Sequence, residues 1–209
     1  MSQTIRRALR SVHVSGGPIR VARRGLDGTS PPLEGLVVGL SPSFVLLQRI
    51  DPAILLDGYV LLRVGDITSV DAVFPACQFV RRALKLRGLR RRLPRAAFPL
   101  NDIIAVLAAA QSLFPLVTFH QERRDRNVCW VGQVQSFTPA GVVLRELTPS
   151  ATWDRAIRYR IASLTRVDFG GSYEAALALV AKVRPHTILQ QTAAARPLVG
   201  KSRPRPNIG

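Results

Sequence analysis

Displaced by 97 positions, the chain lies over itself. Residues 18–71 align with residues 115–168 without a gap, and twelve of the 54 paired positions are identical. The identities include turn formers (Pro18/Pro115, Gly35/Gly132, Pro42/Pro139, Pro52/Pro149), strand residues (Val45/Val142, Leu47/Leu144) and polar residues (Asp57/Asp154, Arg63/Arg160, Asp71/Asp168). Many unmatched positions exchange one apolar side chain for another, as at Ile50/Leu147 and Ile67/Leu164. A chain written twice has to bury the same faces twice, so the sequence reads as one module in tandem.

Within each copy the hydrophobic period is two. Ile157, Tyr159 and Ile161 alternate with Arg158 and Arg160, which puts an apolar set on one face of a strand and guanidiniums on the other. In the first copy Val60, Leu62 and Val64 face inward. Arg63 shares its outward side with Tyr59 and Leu61, so that face should be partly covered. Ser41-Pro42-Ser43, Thr138-Pro139-Ala140 and Asp57-Gly58 break strand from strand, because proline cannot donate to a ladder and glycine takes the turn geometry. Strands are expected near 18–24, 34–41, 44–50, 59–65 and 67–72, with counterparts 97 residues later. Five short strands with open edges are best closed into a small barrel.

Helices flank these strands. Asn101 is placed to cap a helix over 102–113, with a counterpart starting near Thr4. Pro75 can start a helix carrying Phe79, Ala83 and Leu84 that ends near Gly88, and Tyr173–Val183 is its counterpart. The expected organisation is a first module with its basic helix and linker over 1–95, a second over 96–185, and a disordered basic tail over 186–209 carrying Arg196, Lys201, Arg203 and Arg205. Residues 1–26, with six Arg and no acid, imitate a transit peptide. The repeat argues otherwise, because cleavage would remove a helix and the first strand from one module.

Charge is the second constraint. The 209 residues hold 30 Lys plus Arg against 13 Asp plus Glu, a formal charge of +17, and only Lys85, Lys182 and Lys201 among the cations are lysines. No acid stands between Asp71 and Asp102, whereas 81–95 contains Arg81, Arg82, Lys85, Arg87, Arg90, Arg91, Arg92 and Arg95. Such a field attracts phosphates or an acidic protein, because polyanions release condensed counterions on binding. A solvated linker face and a coding bias toward Arg are the bland alternatives. With 47% hydrophobic residues, no apolar run long enough to cross a bilayer and only Cys77 and Cys129, a soluble, cytoplasmic protein without a membrane partner is expected, a single disulfide remaining open.

A helix, five strands, a glycine in the second strand and an arginine shortly before the fifth resemble the Sm-like barrel family of RNA-binding proteins over about 150 residues, counted as two copies. Gly35-Leu36-Val37 leads to Leu40-Ser41, and Gly132-Gln133-Val134 to Phe137-Thr138, with hydroxyls in place of the family's Asp and no following Asn. Leu62-Arg63-Val64-Gly65-Asp66-Ile67 and Tyr159-Arg160-Ile161-Ala162-Ser163-Leu164 keep the second motif's Arg and spacing. Its Gly is displaced in one copy and missing in the other. The resemblance implies a mainly β fold with flanking helices, built as two tandem five-stranded Sm-like or SH3-like barrels. It carries over Arg63 and Arg160 as contacts to RNA, and homo-oligomers through strand edges, unless the two barrels of one chain pair instead.

Catalytic chemistry finds little support. His13, His120, His186, Cys77 and Cys129 lack zinc-site spacing, so no metal and no cofactor are expected. His120 and Cys129 fall on neighbouring strands of a hairpin, which suggests a dyad, but ordinary packing is the simpler reading and no third group is evident. Gly200-Lys201-Ser202 lacks the first glycine of a phosphate loop, and Gly170-Gly171-Ser172 reads as a turn with Ser172 as a helix cap. The paired aspartates read as ligands of turn amides, and Trp130 and Trp153, aligned with Leu33 and Leu56, as core or rim packing. The sequence therefore points to a non-enzymatic binder of nucleic acid, RNA before DNA, through Arg63, Arg160 and the 81–95 run. A protein-docking adaptor or immunity-type inhibitor with an acidic partner is the alternative.

Overall fold

The computed structural model describes residues 3–23, 25–27, 32–92, 98–139 and 141–188. The elements run α1 (Gln3–Ser15), β1 (Pro18–Ala22), β2 (Leu33–Leu40), β3 (Phe44–Ile50), β4 (Leu56–Arg63), β5 (Ser69–Asp71), α2 (Cys77–Leu86), α3 (Ile103–Leu113), β6 (Val117–His120), β7 (Cys129–Thr138), β8 (Gly141–Leu147), β9 (Trp153–Tyr159), β10 (Arg166–Phe169) and α4 (Ser172–Val180). The protein is mainly β. Its ten strands form one antiparallel sheet in the order β5-β1-β2-β3-β4-β10-β6-β7-β8-β9. Each half thus repeats the order fifth-first-second-third-fourth, and β4 of the first half joins β10 of the second.

Irregularities repeat as well as strands. Ladder shifts fall between Val37 and Gly39 and between Gln48 and Ile50 in the first half, and at Val134/Ser136 and Arg145/Leu147, 97 residues on, in the second. Short 3₁₀ turns at Val64–Asp66 and Ile161–Ser163 occupy matching positions, as do the left-handed residues Ile54 and Ala151. The shared glycine of the second strand has a steric cause. A Cβ on Gly35 would stand 2.7 Å from the Gln48 carbonyl oxygen, and one on Gly132 would collide with that of Arg145.

Two main cores result. Under α1, Leu9 and Val12 cover Ile19, Val21, Val37, Val45, Leu47, Val60, Leu62, Val64 and Ile67, so the inward set predicted for β4 is buried. Under α3, Val106, Leu107 and Ala110 pack on Val134, Val142, Leu144, Tyr159 and Leu164. This second core continues across the junction to Val38, Phe44, Leu46 and Leu61 on the opposite face of the first half. That is the cover expected over Leu61.

Several local expectations are corrected. Asp102, not Asn101, caps α3, its carboxylate accepting from the Ile104 amide at 2.9 Å. On α2 the buried stripe is Cys77, Val80 and Leu84, spaced i, i+3 and i+7, which leaves Phe79 63% exposed. Gly171, not Ser172, takes the cap position of α4. Both cysteines are free. Among the described residues no helix is long and apolar enough to cross a membrane. Arg95 and positions 189–209, which hold the four tail cations and Gly200-Lys201-Ser202, lie outside the described residues.

Candidate nucleic-acid interface

The two arginines carried over from the barrel motif occupy equivalent places and do different work. Arg63 ends β4 at the junction, where its Nε donates to the Leu164 carbonyl at 2.9 Å and its Nη2 to the Ile161 carbonyl at 2.7 Å. Its guanidinium lies 5.4 Å from the Phe44 ring centre. Burial and these partners make Arg63 a clasp between the halves. Arg160 follows β9, whose outer edge carries no strand among the described residues, and it is exposed.

The junction has further cross-ties. The Arg23 guanidinium, 1% exposed, grips both Glu122 carboxylate oxygens at 2.6 Å and also Asp27 at 2.9 Å. Burial alone would push the Glu122 carboxyl up, but the bidentate Arg23 outweighs it and holds the group below the usual carboxylate range. The Asp57 carboxylate accepts from the Ser172 amide at 2.6 Å. Asp154 instead accepts from the Arg155 amide at 2.8 Å. Both aspartates thus serve backbone amides as predicted. The second aspartate pair is corrected: Asp71 is exposed on β5, whereas Asp168 is buried on β10, ion-paired with Arg166 and 3.4 Å from His120 Nε2. Burial opposes its charge, yet Arg166 and His120 keep Asp168 well below the usual carboxylate range.

Arg23, Asp27, Glu122 and Arg166 line part of a cleft of about 570 Å³ between the halves, with His120 and Cys129 also in its wall. The two are ladder partners, as their hairpin placement predicts. Burial, then the Asp168 carboxylate, push the Cys129 thiol up, the opposite of what an activated nucleophile needs. Among the described residues no group of three or more His, Cys, Asp or Glu is placed to hold a metal ion.

The basic run splits into two sets. Arg87 donates to the carbonyls of Ala53 and Ile54, and Arg91 to those of His13 and Val37, so these two tie α2 and the following segment to the sheet. The Arg92 backbone accepts from the Tyr59 hydroxyl and donates to the Gln48 side chain. Arg81, Arg82, Lys85 and Arg90 are exposed, and no carboxylate pairs with any of the run's seven described cations.

A cationic cleft of about 530 Å³ surrounds Arg160 at the free edge of β9. Arg123, Arg124, Arg155 and Arg158 join Arg160 in lining it, against one carboxylate, Glu146. The Tyr159 hydroxyl donates to Glu146. Burial and then this carboxylate push the phenol up, so it stays protonated. Trp130 closes the wall, its ring centre 5.6 Å from that of Tyr159, while Trp153 lies under Arg145 at 4.6 Å, so both packing expectations match. Sequence reasoning missed four of the five arginines. The signal was present in the repeat itself, where Arg155 stands for Gly58 and Arg158 for Leu61.

Comparison with family models, with curated proteins and with solved structures finds no match to this chain.

Proposed function

We propose that the chain is a non-enzymatic binding protein, two Sm-like barrel modules fused through a shared sheet, that contacts nucleic acid, RNA before DNA, through its arginine-rich surface. The observation that carries this reading is that Arg81, Arg82, Lys85 and Arg90 stand exposed on one short segment with no carboxylate to neutralise them. Unpaired guanidiniums favour phosphate oxygens, and contacts of this kind position a backbone without reading its sequence. Loose sequence preference and an affinity that falls steeply with salt are the expected signature. Titrating the full chain with short RNA and DNA at two salt concentrations tests it. Absence of binding at low salt rejects the reading.

A second reading is favoured by what lies beside those cations. Val73, 93% exposed, lines a hollow with Arg81, Arg82 and Lys85, and Phe79 and Leu86 are exposed on the same helix α2. An acidic protein with apolar contacts fits that mixture, as it would for an adaptor or inhibitor. Nuclease treatment separates the readings: partners that still co-purify after digestion support protein docking, and partners that vanish support nucleic acid.

A further inference from the structure

We propose that the free edge of β9 seats the phosphodiester backbone of a single-stranded nucleic acid, and that it does not accept another β-strand. The proposal rests on the nucleic-acid reading above and gives it a second, separately testable location.

The case against another strand comes from what the β4·β10 junction requires. There Gly58, at φ +68°, brings its backbone so close to the facing turn that a Cβ would stand 2.5 Å from the Gly171 nitrogen and 2.8 Å from the Gly170 carbonyl carbon. Asp57 needs the Ser172 amide, and Leu61 needs an apolar cover. At the chain's free edges each requirement fails. Arg155 replaces Gly58, Val73 and Phe74 replace the two glycines, Pro75 replaces Ser172 and has no N–H to give Asp154, and Arg158 replaces Leu61. A second copy therefore cannot add its β5 to β9 as β10 adds to β4. Charge on an edge strand also discourages pairing of any other kind.

What remains is a cleft suited to regularly spaced anions. Arg123 is already bound by Asp66, which leaves Arg124, Arg155, Arg158 and Arg160 without a carboxylate partner among the described residues. Glu146, the one acid in the lining, is engaged by the Tyr159 hydroxyl. Arg158 and Arg160 lie two residues apart on one side of an extended segment, about 6.7 Å along the chain, a spacing comparable to that of successive phosphates in an extended strand. The Trp130 ring in the wall supplies an aromatic surface beside them. A cleft of about 530 Å³ has room for a stretch of sugar-phosphate.

The test uses the full chain and a fluorescein-labelled uridine oligonucleotide of about ten nucleotides, followed by anisotropy near 50 and 200 mM salt. Arg155→Ser with Arg158→Ser is expected to weaken binding about tenfold and to flatten the salt slope by about 1.4, two phosphate contacts at roughly 0.7 each. The charge-keeping pair Arg155→Lys and Arg158→Lys should retain most of the affinity, and a duplex of equal length should bind more weakly. If the serine variant binds as the unaltered chain does while Arg81→Ser, Arg82→Ser and Lys85→Ser abolish binding, this proposal falls and the broader reading stands. No binding by the unaltered chain removes both. Equal competition by hexaglutamate, or light scattering that shows a dimer with β9 protected, also overturns it.

Discussion

Strands β4 and β9 are the same strand of the repeat in two settings, and their differences track what each one touches. On β4 the outward positions are Tyr59, Leu61 and Arg63; the second core takes in Tyr59 and Leu61, and the carbonyls of Ile161 and Leu164 hold Arg63. On β9 the equivalents Ala156, Arg158 and Arg160 are all exposed to solvent. The interior set barely changes, with Val60 and Leu62 answered by Ile157 and Tyr159. Burial on the inner face therefore specifies the module, and the outer face specifies what the module may join. One edge is closed by covering it and the other is guarded by charge.

The sharpest way to break this comparison is to exchange the exteriors. Leu61→Arg forces a guanidinium into an apolar site 2% exposed and should cost more than about 4 kcal/mol, whereas Arg158→Leu should change stability by less than about 0.5 kcal/mol. Urea unfolding of both variants checks this, and equal costs would show that the two edges are not different environments. Next in size, Glu122→Gln leaves Arg23 buried with Asp27 alone and should cost about 3 kcal/mol. The same pair has a pH signature. Glu122 and Asp168 both sit below the usual carboxylate range when folded, so their stabilisation is complete above that range and is lost as pH falls through the folded values. Acid unfolding of Glu122→Gln should accordingly be shallower than that of the unaltered chain. The smallest effect separates the clasp from its counterpart: Arg63→Ala should cost about 2 kcal/mol for two charge-assisted bonds, and Arg160→Ala less than about 0.5 kcal/mol. Thermal unfolding of the pair resolves the difference.

The repeat, the strand positions and the inward faces were legible because period-two burial and turn residues are local signals. The joining of ten strands into one sheet was not, since β4 meets β10 across about a hundred residues and no local pattern records that pairing. Leu61 and Tyr59 beside Arg63 hinted at a cover without naming it. Arg63 was read as an RNA contact because its spacing fits the barrel motif, yet carbonyls of the other half occupy its guanidinium. Arg87 and Arg91 likewise read as free charge and turn out to bind backbone carbonyls, a role that composition does not reveal. Neither Arg155 nor Arg158 reads as a binding residue in the sequence because they belong to no dense run, and the fold gathers them with Arg123, Arg124 and Arg160.

Amide hydrogen exchange, read residue by residue on the free chain, tests the two-edge account most directly. Strand β4 is laddered on both sides, so the amides of Tyr59 to Leu62 should all be protected, while on β9 every second amide between Trp153 and Tyr159, lacking a partner beyond β8, should exchange rapidly. Uniform protection along β9, or rapid exchange along β4, would contradict it.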